Sequence, residues 1–329
     1  DPCAAIQIPF ELDEAEEKEI VFRLGTGADM HEALNLLKQF KGLEKAGHSL
    51  SHVRNFWKNT LEAMQVETPD DATNIIANSW ITYQTLSSRL WGRSGYYQSG
   101  GAFGFRDQLQ DVLSLLHAQP ELAREQILLA ASRQFKEGDV QHWWHPPTGR
   151  GVRTRCSDDF LWLPYVTIRY IRQTGDKQIL DEMISYLEGR HLNQEEESYY
   201  DLPIQSLQKS SLYDHCVRAL NNGFRYGEHG LPLMGSGDWN DGMDQVGIHG
   251  RGESVWLGFF TYDILMNFIE LAEGHQDPDF AVQCKMEAER LKINIEKNAW
   301  DGEWYRRAYF DDGTPLGSHT NDECQIDSL

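Results

Sequence analysis

From residue 28 onward, apolar residues recur at three-and-four spacing in one segment after another. MHEALNLLKQF, HSLSHVRNFWKNTLEAM, DDATNIIANSWITYQTLSSRLWG, FRDQLQDVLSLLHAQ and PELAREQILLAASRQF carry the pattern, and further helices are expected at 159–174, 177–187, 210–226, 253–273 and 277–297. Asp70 and Asp71 follow Pro69 as capping residues, and Pro120 sits where a first helical turn tolerates it. Between the helices run long loops rich in Gly, Trp, His and Asp, at 92–104, 136–158, 227–252 and 299–322. Within the last of them, YFDDGTPLG reads as a small hairpin around Asp312-Gly313. This alternation predicts a mainly α fold, a toroid of helical hairpins whose loops gather into a pocket at one end. Long loops in a compact domain usually carry function. No strict short repeat suggests a solenoid.

The N-terminal stretch differs. AIQIPFEL and EIVFRLG read as two short strands around a polar turn. Two strands make no stable sheet alone, and the final ECQIDSL carries no capping signal. A piece of a longer protein is therefore expected.

Composition narrows the functional classes. With 329 residues, 40% of them hydrophobic, the chain can bury one large core or two ordinary ones. Its net charge of −21 opposes nucleic-acid backbones and anionic membrane surfaces. Cys3, Cys156, Cys216, Cys284 and Cys324 are widely spaced without a CxxC, which fits reduced thiols in the cytoplasm and gives no zinc signature. No signal peptide is visible, and no apolar run is read as approaching a membrane span.

Three loops concentrate reactive side chains. GSGDWNDGMDQVG, 235–247, packs three aspartates around Trp239. It fails as a calcium loop: counting from Asp238, Gly242 falls fifth and His249 twelfth, where Gly is wanted sixth and Glu twelfth. One reading is an Asp/Asn/Gly turn. The other is an acid: an apolar wall from Trp239, with Asp238 and Asp244 as like charges, would keep Asp241 protonated at neutral pH. In RSGYYQSGGAFGFRDQLQD, 93–111, Asp107 sits beside Arg106 in a first helical turn, which suits an ionised carboxylate gripping sugar hydroxyls; a helix cap with a surface ion pair is the alternative. In DVQHWWHPPTGRGVRTRCSDDFLWLP, 139–164, His142, Trp143, Trp144 and His145 suit stacking on a sugar ring, or burial in the barrel wall. No acidic or thiolate partner falls at a recognised spacing from these histidines, so no metal is expected.

Together with WYRRAYFDDGTPLG, these motifs resemble glycoside hydrolase family 94, the inverting phosphorylases of β-linked glucosides. Within that family the chain is similar to the phosphorylase-like C-terminal region of cyclic β-1,2-glucan synthases and to 1,2-β-oligoglucan phosphorylases. The resemblance implies an incomplete (α/α)6 barrel at 64–329, a helical linker at 28–63, and the last strands of a β-sandwich at 1–27. It implies Asp241 as general acid, Trp239 beside it, Arg106 and Asp107 on the glycone sugar, and Arg93 on phosphate. His142 and Trp143 join as substrate contacts. The implied reaction is phosphorolysis of a β-glucoside, β-1,2-linked, releasing α-glucose 1-phosphate, with inorganic phosphate as substrate and no cofactor. Implied partners are a β-glucan oligosaccharide and phosphate, with a homodimer, and a membrane only through a larger parent on its cytoplasmic side. Where cellobiose phosphorylases carry a further arginine, this chain has Gly100, Gly101 and Ala102, so glycone contacts or linkage preference should differ. The family's phosphate-binding histidine and threonine have no counterpart in this sequence. An inverting hydrolase remains open, with Asp158, Asp159 or Glu253 as its base, as does a non-catalytic glucan-binding module.

Overall fold

The computed structural model describes residues 3–92, 101–193 and 195–326. They form two compact units, Asp1–Ala63 and Met64–Leu329.

In the first unit, α1 (Met30–Gln39) is capped by Asp29, whose carboxylate accepts from Glu32 N at 2.8 Å, and α2 (Leu43–Leu61) follows. The strands expected in AIQIPFEL and EIVFRLG do not pair. Both segments lack regular secondary structure and are largely exposed, with Ile6 at 74% and Phe22 at 64%. Their backbone groups have no sheet to join, and a lone pair of strands buries too little to order itself.

The second unit is helix-rich. Residues 71–92 are helical throughout, as α3 (Asp71–Ile75) and α4 (Ile81–Gln84) joined and followed by π-helical turns. Asp70 caps the start through Ala72 N and the Thr73 hydroxyl. The short strand β1 (Phe103–Gly104) leads into α5 (Phe105–Leu113), and α6 (Pro120–Ala131) starts on its proline. On α5, Phe105, Leu109 and Val112 are fully buried, each contributing about 1.5–3 kcal/mol of hydrophobic stabilisation. That face locks the helix, so the first-turn Arg106 and Asp107 are held on a rigid support.

The expected loop at 136–158 is largely a hairpin. Strands β2 (Gln141–His145) and β3 (Arg150–Thr154) pair antiparallel, with a bulge between Gln141 and Trp143. After α7 (Trp162–Thr174), the helix expected at 177–187 is instead a 3₁₀ turn capped by Asp176, followed by β4 (Met183–Glu188). A short apolar run such as MISYLE fits either period. It pairs with β6 (Ile204–Ser211), which buries Ile184 to Leu187. Strand β5 (Ser198–Asp201) completes the sheet β1-β2-β3-β5. The chain continues through α8 (Leu212–Gly223), β7 (Glu253–Ser254), α9 (Val255–Gly274), α10 (Pro278–Asn294), β8 (Ala308–Tyr309) and β9 (Pro315–Leu316). The last two strands form the expected hairpin, and β8 also pairs with β7.

One expectation about membranes needs correction. Helix α9 has 20 residues and a mean hydropathy of 1.3, so by length and composition it is apolar enough to span a bilayer. Half of its apolar window is buried, and Ile264, Leu265 and Phe268 are fully so. It packs against α7 and α10 as a core helix.

Candidate active site

Two loops distant in sequence are stitched together by backbone bonds. Ser236 N donates to Arg155 O, and Ser157 N donates to Gly237 O at 2.9 Å. Gly235 permits the contact: its φ is +64°, and a Cβ there would lie 2.1 Å from Arg155 O. This seats the 238–241 turn on the CSDD segment. Two Asx bonds in series then shape the turn, with Asn240 N donating to Asp238 Oδ1 at 3.0 Å and Gly242 N donating to Asn240 Oδ1 at 2.9 Å.

The two aspartates of DWND take opposite positions. Asp238 is fully buried. It accepts from Arg307 Nη2 at 2.7 Å and from the Ser254 hydroxyl at 2.6 Å. Ser254 is also the N-cap of α9, accepting from Leu257 N. The carboxylate therefore ties the turn to a helix start and to the β8 edge. Asp241 is the open one, its side chain 62% exposed.

Arg106 joins these pieces. It is 7% exposed, and its guanidinium donates to Asp158 Oδ1 and Asp238 O at 2.9 Å and to Asp241 Oδ1 at 2.5 Å. Burial opposes its charge, but Asp158, Asp159 and Asp241 overrule that and push its pKa up. Asp158 also accepts from Trp162 Nε1 at 2.9 Å; burial first, then Asp159, pushes its own pKa up. Asp159 Oδ2 accepts from His142 Nδ1 at 2.7 Å, whereas its buried Oδ1 has no hydrogen-bond donor among the described residues. Burial works against the His142 imidazolium, but Asp159 prevails and raises its pKa to about 11.

The site residues expected from sequence are thus distributed unevenly. Arg106, His142 and Asp241 come together, with Asp158 and Asp159 between them. Asp107 is adjacent in the α5 first turn, its carboxylate against Gly104, where a Cβ would lie 2.2 Å from Asp107 Oδ2. Trp239 is 46% exposed and turns its indole N–H to Gln110 Oε1 at 3.4 Å. Trp143 joins a separate aromatic group with His145 and Tyr200, at ring separations of 5.2 and 5.6 Å. Arg93 lies outside the described residues. The environment expected for Asp241 needs correction: it faces the guanidinium of Arg106, and Asp238, expected as a repelling neighbour, is neutralised by Arg307. Glu253, a candidate base, is 1% exposed and occupied by His229 Nδ1 at 2.5 Å and Leu231 N at 3.0 Å.

Sequence reasoning missed Arg307 and Cys156. Arg307 sits in YRRAYF, between residues that bury, and a buried arginine next to a strand needs a carboxylate; that was its signal. Cys156 carried none. A cavity of about 930 Å³ lies beyond it, lined by Arg153, Arg155, Arg225, Asp139, Asp244 and Cys156 among others. Asp241 and Asp107 are not among its lining residues, so this cavity adjoins the carboxylate cluster without including it.

Over its full length the chain is 42% identical to the cyclic beta-(1,2)-glucan synthase NdvB of Rhizobium meliloti. It is 33% identical over 80% of its length to the solabiose phosphorylase of Paenibacillus borealis, and 25% identical over 98% to the N,N'-diacetylchitobiose phosphorylase of Vibrio furnissii. It spans 12%, 31% and 41% of the lengths of these three relatives. The supersandwich domain of glycosyl hydrolase 94 matches residues 1–43, and the catalytic domain of the glycosyl hydrolase 94 superfamily matches 56–329. The chain therefore belongs to the glycosyl hydrolase 94 superfamily.

Proposed function

We propose that the chain carries an inverting phosphorylase site for a β-1,2-linked glucoside, releasing α-glucose 1-phosphate. The observation that carries this reading is the state of the candidate bases. Inverting hydrolysis needs a second carboxylate free to activate water. Asp158, Asp159 and Glu253 are 0%, 2% and 1% exposed and already engaged. Phosphate needs no such base, because it is already an anionic nucleophile. The match to a β-1,2-glucan synthase over the whole chain supports the linkage, and relatives named as phosphorylases support the reaction.

In this reading Asp241 gives a proton to the glycosidic oxygen while a phosphate oxygen attacks the anomeric carbon from the opposite face. Arg106 keeps Asp158 as a counter-charge when Asp241 is protonated, so the buried guanidinium is never left unpaired. Asp107, Trp239 and His142 surround the glycone, Trp143 with its own aromatic group is left to contacts further along the sugar chain, and Arg93 takes the phosphate. The supporting fold is an incomplete (α/α)6 barrel. Consistent with this are the exposed apolar faces at both ends of the second unit: Ile75, Trp80 and Trp91 at 67%, 55% and 51%, and Val282, Met286 and Ile293 at 58%, 67% and 55%. Further helical hairpins would cover such faces.

The test is incubation of the protein with β-1,2-linked glucose oligomers, with and without inorganic phosphate. α-Glucose 1-phosphate should appear only with phosphate. Release of free glucose without phosphate would make it a hydrolase, and glucan binding with no turnover would make it a binding module.

A further inference from the structure

The fold brings His142, Cys156 and Asp241 together, although 14 and 85 residues separate them in sequence order. One ligand atom from each lies within 4.8 Å of the others. We infer that these three side chains form a site for a thiophilic divalent cation of the zinc type, with solvent or substrate in the fourth position.

The geometry suits that ion. Zinc takes sulfur at about 2.3 Å and nitrogen or oxygen at about 2.0–2.2 Å, so tetrahedral ligand atoms lie roughly 3.3–3.8 Å apart. Binding would draw the ligand atoms together from within 4.8 Å, through rotation of the Asp241 and Cys156 side chains. The histidine is already oriented. Its Nδ1–H donates to Asp159 Oδ2 at 2.7 Å, which turns Nε2 away from Asp159 and leaves it as the ligand atom. A buried carboxylate behind a histidine is the usual support of a metal-bound imidazole. Charge favours a cation as well: Asp158, Asp159 and Asp241 all lie within 3.8 Å of the Arg106 guanidinium, three carboxylates facing that cation and His142, and buried Asp159 Oδ1 has no hydrogen-bond donor among the described residues. Asp241 opens the site to solvent, its side chain 62% exposed.

Binding releases the thiol proton of Cys156, and any proton on His142 Nε2, to solvent. It also withdraws Asp241. Resting on the phosphorylase reading, zinc would then silence turnover by occupying the acid.

The experiment is a cobalt titration of the metal-stripped protein, followed by absorption, with zinc as competitor. A thiolate-to-cobalt band should rise to one equivalent and vanish when zinc is added. Cys156→Ser should lose the band, with an unchanged circular dichroism spectrum as control for folding. Asp159→Asn should weaken zinc binding about 10- to 100-fold. The double variant Cys3→Ser/Cys324→Ser, which removes the two exposed thiols, should keep the band. Absence of the band in the unmodified protein, or its survival in Cys156→Ser, overturns the site. If zinc binds through Cys156 yet turnover persists, the metal site stands and the role of Asp241 as acid falls.

Discussion

The same turn presents two arginine–aspartate stations that differ in burial. At the closed station, Arg307 and Asp238 are 3% and 0% exposed, and Ser254 and Asn240 supply further donors. At the open station, Arg106 is also buried, but its partner Asp241 faces solvent. Burial assigns the roles. A carboxylate with its acceptor sites filled and no access to water can hold a loop but cannot exchange a proton with a substrate. One with an exposed oxygen beside a fixed cation can. The comparison also explains why so many acidic residues coexist in an acidic protein: each buried one has its own donors.

The sharpest way to break this comparison is at the open station. Asp241→Asn should lower turnover about 10²- to 10⁴-fold, the usual contribution of a general acid, most of all for poor leaving groups. Its unfolding free energy should change by less than about 1 kcal/mol, because the pair is exposed on one side. Wild-type turnover in this variant would remove Asp241 from the reaction.

The closed station should respond in the opposite sense. Asp238→Ala leaves Arg307 buried and unpaired, and removing one partner of a buried pair typically costs about 3–5 kcal/mol. Urea unfolding measures this, and Arg307→Met combined with Asp238→Ala should recover much of the loss. If Asp238→Ala is as stable as the parent, the pair does not hold the turn.

A smaller and pH-dependent effect comes from another buried carboxylate. Asp301 accepts from the Ser318 hydroxyl at 2.9 Å, His319 N and Nδ1 at 2.7 Å, and Arg306 Nη2 at 2.5 Å. Burial opposes its charge, but these donors win and hold its pKa below the usual carboxylate range. A depressed folded pKa contributes stability above the unfolded value near 3.8, and that contribution fades as pH falls through the folded value. Asp301→Asn should therefore be less stable than the parent at pH 7, with the gap narrowing below about pH 4. A gap that stays constant from pH 7 to pH 2 would contradict the assignment. Asp158 has the opposite tendency, because its burial is matched by fewer donors.

Much of this was legible in the sequence. The helical segments at 30–39, 120–131, 162–174, 255–274 and 278–294 follow from their apolar spacing, and the hairpin at Asp312-Gly313 follows from its turn residues. The strands at 183–188 and 204–211 were not, because each needs the other to reveal its period. The N-terminal segments read as strands and form none here, since pairing depends on neighbours that a local pattern does not contain. Arg106 was legible as a site residue, but its partners were not, being 52 and 135 residues away.

The residue types at the turn, the helix start that carries Arg106 and Asp107, and the family likeness of the motifs were determined by sequence alone. Only tertiary structure decided which aspartate is buried, which arginine meets it, and that Cys156 stands beside His142 and Asp241. The reason is physical. Helix and turn preferences act over a few residues, whereas burial and charge pairing depend on whatever packing brings within a few ångströms, and the largest electrostatic effects in this molecule are of that second kind.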